Sequence, residues 1–194
     1  MQLLRMFSNE KYKGTKGYLD SQKKYEVMRT ILYFGISLSL FIAGWVTTGS
    51  RLNLLTVVAV LGCLPASKST VGMIMFLRFH SCPEAVAEEI EAHVGELYGM
   101  YDLVFTSYDK NYQVDHMVVK GNTVCGFAGG EKFDEQKFYK HIDRVLKAEN
   151  YTDVSVKIFD DVRKYLNRLE QMKTLDADEE STEGIAGTFR SVAL

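Results

Sequence analysis

Two apolar runs, Thr30 to Ser50 and then Leu52 to Leu77, are separated only by the corner Gly49-Ser50-Arg51, and no other feature of the chain restricts its fold as strongly. The first run has 21 residues and no charged side chain. At the helical rise it covers about 31 Å, the thickness of a bilayer's hydrocarbon core. The second carries one charge, Lys68, and one proline, Pro65. Together they predict a two-helix transmembrane hairpin over 30–79, with spans at about 30–50 and 52–77. The first run is too long, and begins too far into the chain, for the apolar core of a secretory signal.

Residues 1–29 hold seven basic side chains (Arg5, Lys11, Lys13, Lys16, Lys23, Lys24, Arg29) against three acidic ones, and the corner has only Arg51. Basic residues flanking membrane spans stay on the cytoplasmic side, so this asymmetry predicts a plasma-membrane protein with both termini in the cytoplasm. Met1 to Phe7 is mostly apolar, and Tyr18 to Met28 reads as an interfacial helix leading into the first span. Gly35, Ser39 and Ala43 share a face at four-residue spacing, a small-residue face suited to close packing on Ala59, Gly62, Cys63 and Ala66 of the second span. Pro65 is expected to kink that span, with Val71 to Phe79 running along the inner surface. Lys68 is the membrane-embedded polar residue. Its four-carbon stem can snorkel to the inner headgroups, or its ammonium can meet a partner carboxylate or phosphate.

The overall balance of 23 basic and 25 acidic residues gives no drive toward nucleic acid. Cys63, Cys82 and Cys125 lie far apart without metal-ligand spacing, and their odd number argues against a disulfide framework. No cofactor is implied.

Residues 80–172 carry the periodicities of a cytoplasmic α/β (α+β) domain in the order αβββαβα. Pro83-Glu84 starts a helix whose apolar face is Val86, Ile90, Val94 and Leu97, ended by Gly99. Strands follow at Tyr101–Tyr108, Tyr112–Lys120 and Thr123–Phe127, joined by Asp109-Lys110-Asn111 and Gly121-Asn122. Asp134 caps a helix with Phe138, Ile142, Val145 and Leu146 on one face. Val154, Val156 and Ile158 alternate as a strand, and Asp160 or Asp161 caps a last helix with Tyr165, Leu166, Leu169 and Met172. From 173 to 194 the acid-rich composition reads as a flexible, solvated tail whose end, Ile185 to Leu194, has enough apolar residues for a short docking peptide.

The order α-β-β-β-α-β, together with Gln113-Val114-Asp115-His116-Met117-Val118-Val119 and the turn Gly121-Asn122, resembles the restriction-endonuclease-like core of nuclease-related (NERD-type) domains, attached here to a two-span membrane anchor of bacterial type. The resemblance implies an acidic residue on the second strand, matched by Asp115, and a Glu-x-Lys on the third that holds Mg²⁺ and activates water. The third strand has Cys125 and Phe127 in those places. Without the second carboxylate a hard dication keeps too few oxygen ligands, so the resemblance is to a nuclease core with degenerate chemistry.

Other chemical readings are weaker. Gly126 to Lys132 lacks phosphate-loop spacing. His80, His93, His116 and His141 are scattered, His80-Ser81-Cys82 lacks a second ligand pair for zinc, and His93 pairs with Glu89 only as helix neighbours. Asp115 and His116 are adjacent on a strand and point to opposite faces. The sequence therefore points to a membrane-anchored binding or scaffold module without catalytic activity, partnered by the bilayer and a cytoplasmic protein. One alternative is a membrane-tethered hydrolase using Asp115 with Asp102, Glu89 or Glu131. The other is a subunit of a larger membrane complex that uses the hairpin itself as its contact surface.

Overall fold

A computed structural model of the chain describes residues 10–130 and 133–194. The apolar start Met1 to Phe7, the acid Glu131 and the Lys132 end of the glycine loop lie outside the described residues. The chain divides into two compact units, a helical hairpin (19–80) and an α/β unit built from 10–18 and 81–194.

In the hairpin, α1 runs unbroken over Tyr18–Thr48 and α2 over Leu54–Leu77. Both are long and apolar enough to cross a membrane. The expected interfacial helix over 18–28 is the first part of α1, because nothing between Tyr18 and Thr30 breaks the helix. Likewise 71–77 is the end of α2 and no separate surface segment. Asn53 caps α2 by accepting the Thr56 N–H at 2.9 Å, and Gly49 turns the corner at φ +64°.

The two helices meet along Glu26, Thr30, Ser37 and Gly44 of α1 and Ala59, Gly62, Ala66, Ser69 and Gly72 of α2. Backbones approach closely here: a Cβ on Gly62 would sit 2.7 Å from Ser37 Oγ, and one on Gly44 would sit 2.8 Å from Leu55 Cβ. The predicted small-residue face is therefore corrected. Gly35, Ser39 and Ala43 point outward, and the Ser39 hydroxyl donates to its own helix at Gly35 O, 2.7 Å away. The seam follows seven-residue spacing from Thr30 through Ser37 to Gly44, where two side-by-side helices stay in contact.

In the α/β unit, α3 (Glu84–Val94), β1 (Tyr98–Thr106), β2 (Asn111–Lys120), β3 (Thr123–Phe127), α4 (Glu135–Ala148), β4 (Ser155–Phe159), α5 (Val162–Lys173) and α6 (Glu179–Val192) follow in order. The sheet order is β1-β2-β3-β4, antiparallel except for the parallel β3–β4 pair that the α4 crossover allows. Helices α3 and α5 cover one face over Ile90, Val118, Tyr165 and Leu169. Helices α4 and α6 cover the other over Phe105, Phe138, Ile142, Ile185 and Phe189.

Two expectations are corrected. Helix α3 ends at Val94, where Gly95 takes φ +56°, and Gly99 lies inside β1. Gly99 is needed there because a Cβ would stand 2.8 Å from His116 Nε2. The acidic tail is largely the helix α6. Asp178 caps it by accepting the Ser181 N–H at 2.9 Å, Glu179 and Glu180 sit in its first turn, and Ile185, Ala186 and Phe189 are buried on the sheet. The chain end then lines the free edge of β1, with Leu194 N–H donating to Val104 O at 2.9 Å. Gly14 O accepts the Tyr101 N–H at 2.8 Å along the same strand.

Candidate functional site

Asp115 lies on β2 at a level where both β1 and β2 lose their alternation. Met100 and Leu103 face the α4/α6 side with two residues between them, and so do Val114 and Met117. Register is kept on either side, Tyr101 opposite His116 and Leu103 opposite Val114, and Asp102 and Asp115 occupy the unpaired level between them. Asp102 takes a left-handed φ of +56°, which Asp tolerates better than most residues. Both acids are buried.

These carboxylates are occupied by the fold. Asp115 Oδ2 accepts the Gly129 N–H at 2.7 Å and Oδ1 accepts from Gln113 Nε2 at 2.7 Å. Asp102 Oδ1 accepts the Cys82 N–H at 2.8 Å. Burial raises the Asp115 pKa above the ordinary carboxylate value, and the Gly129 and Gln113 hydrogen bonds pull it part of the way back. Burial also pushes the neighbouring Cys82 thiol up to about 12, helped by the charges of Asp115 and Asp102, so that sulfur is not a nucleophile near neutral pH.

The β3 positions that the nuclease resemblance assigns to Glu and Lys are packed under α5. Cys125 is buried, and Phe127 stacks on Tyr165 with centroids 5.9 Å apart. Glu89 is exposed on α3, where only its carbonyl meets His93 Nδ1, at 2.8 Å. Of the acids considered beside Asp115, the fold thus brings Asp102 to the same level of the sheet, where both act on Cys82, and leaves Glu89 elsewhere. Among the described residues no three His, Cys, Asp or Glu side chains converge as a metal-holding group.

The expected opposite-face placement of Asp115 and His116 is corrected: alternation is lost at this level, Asp115 lies with Gln113 and beside Phe127, and His116 faces α5 on that same side. The His116 Nδ1 is 2.6 Å from the Tyr165 hydroxyl, its ring lies 4.3 Å from that of Tyr101, and its Nε2 is buried without a hydrogen-bond partner. Burial lowers its pKa to about 3. Nothing in the sequence announces this group, because Tyr165 is 49 residues away and reaches it only through the stacking of α5 on the sheet.

In the hairpin, Lys68 is exposed on the outer side of α2, while its neighbour Ser69 turns inward. Ser69 Oγ is 2.8 Å from Thr30 Oγ1 and accepts from Arg29 Nε at 3.2 Å. Arg29 also pairs with the buried Glu26, which accepts from Gln22 at 3.3 Å. This charged network escapes a scan for periodic apolar residues, since its members are polar positions recurring at the helix spacing.

A cavity of about 710 Å³ lies between the turn after α3, the end of α5 and the start of α6. It is rimmed by Glu96, Asp176, Glu179 and Glu183, and its lysines are engaged, Lys120 with Lys173 O and Lys173 with Glu170. A cavity of about 410 Å³ lies between the 107–110 turn and α4, walled by Lys137, Lys140, His141 and Arg144.

Comparison of the chain with protein-family models, with curated proteins and with solved structures finds no match.

Proposed function

We propose that the chain is a plasma-membrane protein whose hairpin lies in lipid, with both termini and the α/β domain on the cytoplasmic side. The domain acts there as a non-catalytic binding module for a cytoplasmic partner. The observation that carries the anchor is the direction of the apolar side chains. In each helix only 17% of the most apolar window is buried, and Ile31, Ile36, Val46, Leu54, Val60, Leu64 and Val71 all point outward. The core helix of a water-soluble protein is covered, and exposed apolar patches of more than a few hundred Å² are rare on such proteins. Lipid is the medium in which this surface is stable.

The level of the hairpin's charges supports the same reading. Thr30 pairs with Ser69, so Lys68 lies close to the level where the charge-free run of α1 begins. From there its stem reaches the inner headgroups. The Glu26–Arg29 pair lies just below that level and neutralises itself.

A non-catalytic domain is supported by the engagement of both Asp115 oxygens and by the packing of Cys125 and Phe127 beneath α5. A nuclease-related core whose chemical positions have been given over to packing fits this reading, and the parallel β3–β4 pair is compatible with it.

Topology is tested by labelling. Cys82 and Cys125 are buried and Cys63 lies in the apolar part of α2, so the native chain should be silent to a membrane-impermeant maleimide. Ser50→Cys should label in intact cells, and Glu149→Cys only after lysis. A chain that remains in solution after cell breakage without detergent would end the proposal.

A further inference from the structure

We infer that the cleft between the 107–110 turn and α4 binds a nucleotide, its phosphates on Lys137, Lys140 and Arg144 and its base against Tyr108. The inference rests on reading the α/β domain as a binding module, and it names that module's ligand.

The α4 wall of the cleft is cationic. Lys137, Lys140 and Arg144 recur at three- and four-residue spacing and so share one side of the helix. On the neighbouring side Lys147 is held by Asp143 at 2.7 Å, whereas Lys140 and Arg144 have no ion pair among the described residues, and Lys137 reaches Asp134 only at 4.0 Å. His141, on the same wall, has a buried Nε2 with no hydrogen-bond partner. Its pKa is lowered by burial and by the Arg144 charge. Cations left uncompensated in a concave site of about 410 Å³ suit a phosphate group.

The opposite wall differs. Tyr108 is 104% exposed, and apart from the marginal Leu175 no other large apolar side chain of the α/β unit is so uncovered. Beside it Asp109 also lines the cleft. An aromatic face free of packing suits stacking by a planar ring, and a carboxylate suits the hydroxyls of a sugar while repelling a second anionic group. The cleft is thus electrically lopsided, cationic on one wall and aromatic with an acceptor on the other. The ligand that matches has a phosphate end and a neutral, hydroxylated, planar end. A long nucleic-acid strand matches less well, because the unit formed by 10–18 and 81–194 carries 16 basic against 23 acidic residues and repels an extended polyanion.

The test is calorimetric titration of the full chain in lipid nanodiscs with ADP, with inorganic phosphate and with a single-stranded oligothymidylate. ADP should bind more tightly than phosphate and at least as tightly as the oligonucleotide. Lys140→Gln with Arg144→Gln should weaken both ADP and phosphate about tenfold, and Tyr108→Ala should weaken ADP about fivefold or more while leaving phosphate unchanged. All three substitutions are at exposed positions, and unchanged circular dichroism will show that the variants are folded. No ADP binding at millimolar concentration, or ADP binding indifferent to these substitutions, overturns the inference. So does an oligonucleotide that binds more than about tenfold tighter than ADP, which would make the site a strand-binding groove. Membrane retention of the same samples under alkaline extraction reads the anchor separately, so loss of one claim is distinguishable from loss of the other.

Discussion

His116 Nδ1 and the Tyr165 hydroxyl lie 2.6 Å apart in the interior between the sheet and α5. The imidazole is held there neutral, with its pKa lowered to about 3 by burial. The unfolded chain returns it to an ordinary value, so between about pH 6.5 and pH 3 the unfolded state binds a proton that the folded state refuses. Stability from this group is complete above pH 6.5 and is lost as the pH falls, by about 2 kcal/mol at pH 5. His141, also lowered, adds in the same direction, and Asp115, raised, works against it at lower pH. Urea unfolding of the detergent-solubilised chain should show a midpoint that falls from pH 7 to pH 5, and His116→Phe should remove most of that difference. Equal midpoints in the wild type would contradict the buried neutral histidine.

Asp115 is expected to matter for stability. Asp115→Ala leaves the Gly129 N–H and the Gln113 amide without their acceptor and should cost about 1–3 kcal/mol in the same unfolding assay. Asp115→Asn keeps one acceptor oxygen and should cost less. The wild-type protein should leave DNA and RNA intact with Mg²⁺ or Mn²⁺. Cleavage that Asp115→Ala abolishes would restore the hydrolase reading.

Phe189 of α6 meets Phe105 edge-on, with centroids 5.8 Å apart, and is fully buried. Phe189→Ala should therefore cost about 3–5 kcal/mol and expose the free edge of β1 to hydrogen exchange. A solvated tail would tolerate the change without effect.

Glu26 and Arg29 form a pair whose carboxylate is buried against α2 and whose guanidinium is about a quarter exposed. Glu26→Ala removes the carboxylate that pairs with Arg29 and should cost about 2 kcal/mol, less than for a fully buried pair because of that exposure. The double variant Glu26→Ala, Arg29→Ala should lose less than the sum of the singles in thermal unfolding of the reconstituted chain. Additive losses would show the two residues to be uncoupled.

Much of this molecule was legible in its residues. The charge-free run from Thr30 to Ser50, the cap Asp134, the turn at Gly121-Asn122 and the apolar faces of α4 and α5 are local features, and local sterics with hydrophobic periodicity suffice to read them, whereas the choice of Asp161 over Asp160 as the cap of α5 is made by the fold. The errors came where a partner distant in sequence decides. Gly99 reads locally as a helix stop, whereas it lies inside β1 because the ring of His116 packs against it. Gly35, Ser39 and Ala43 looked like a packing face, yet the Thr30–Ser37–Gly44 line follows the supercoil of two helices more closely.

Segment 179–192 has the composition of a solvated tail, and the sequence by itself determined that acids gather at its start and that apolar residues able to dock return from Ile185. That those acids suit a helix N-terminus, and that Ile185, Ala186 and Phe189 find a sheet face to cover, was decided by tertiary structure, because burial against distant strands outweighs a weak local preference. The same division holds for the sites. Chain chemistry placed Asp115 on a strand and Lys68 in an apolar helix. Only folding could bring Asp102 and Asp115 to one level beside Cys82, bring Tyr165 to His116 and leave the cations of α4 facing Tyr108 across a cleft, since each of these arrangements depends on the sheet register and helix packing that no local window contains.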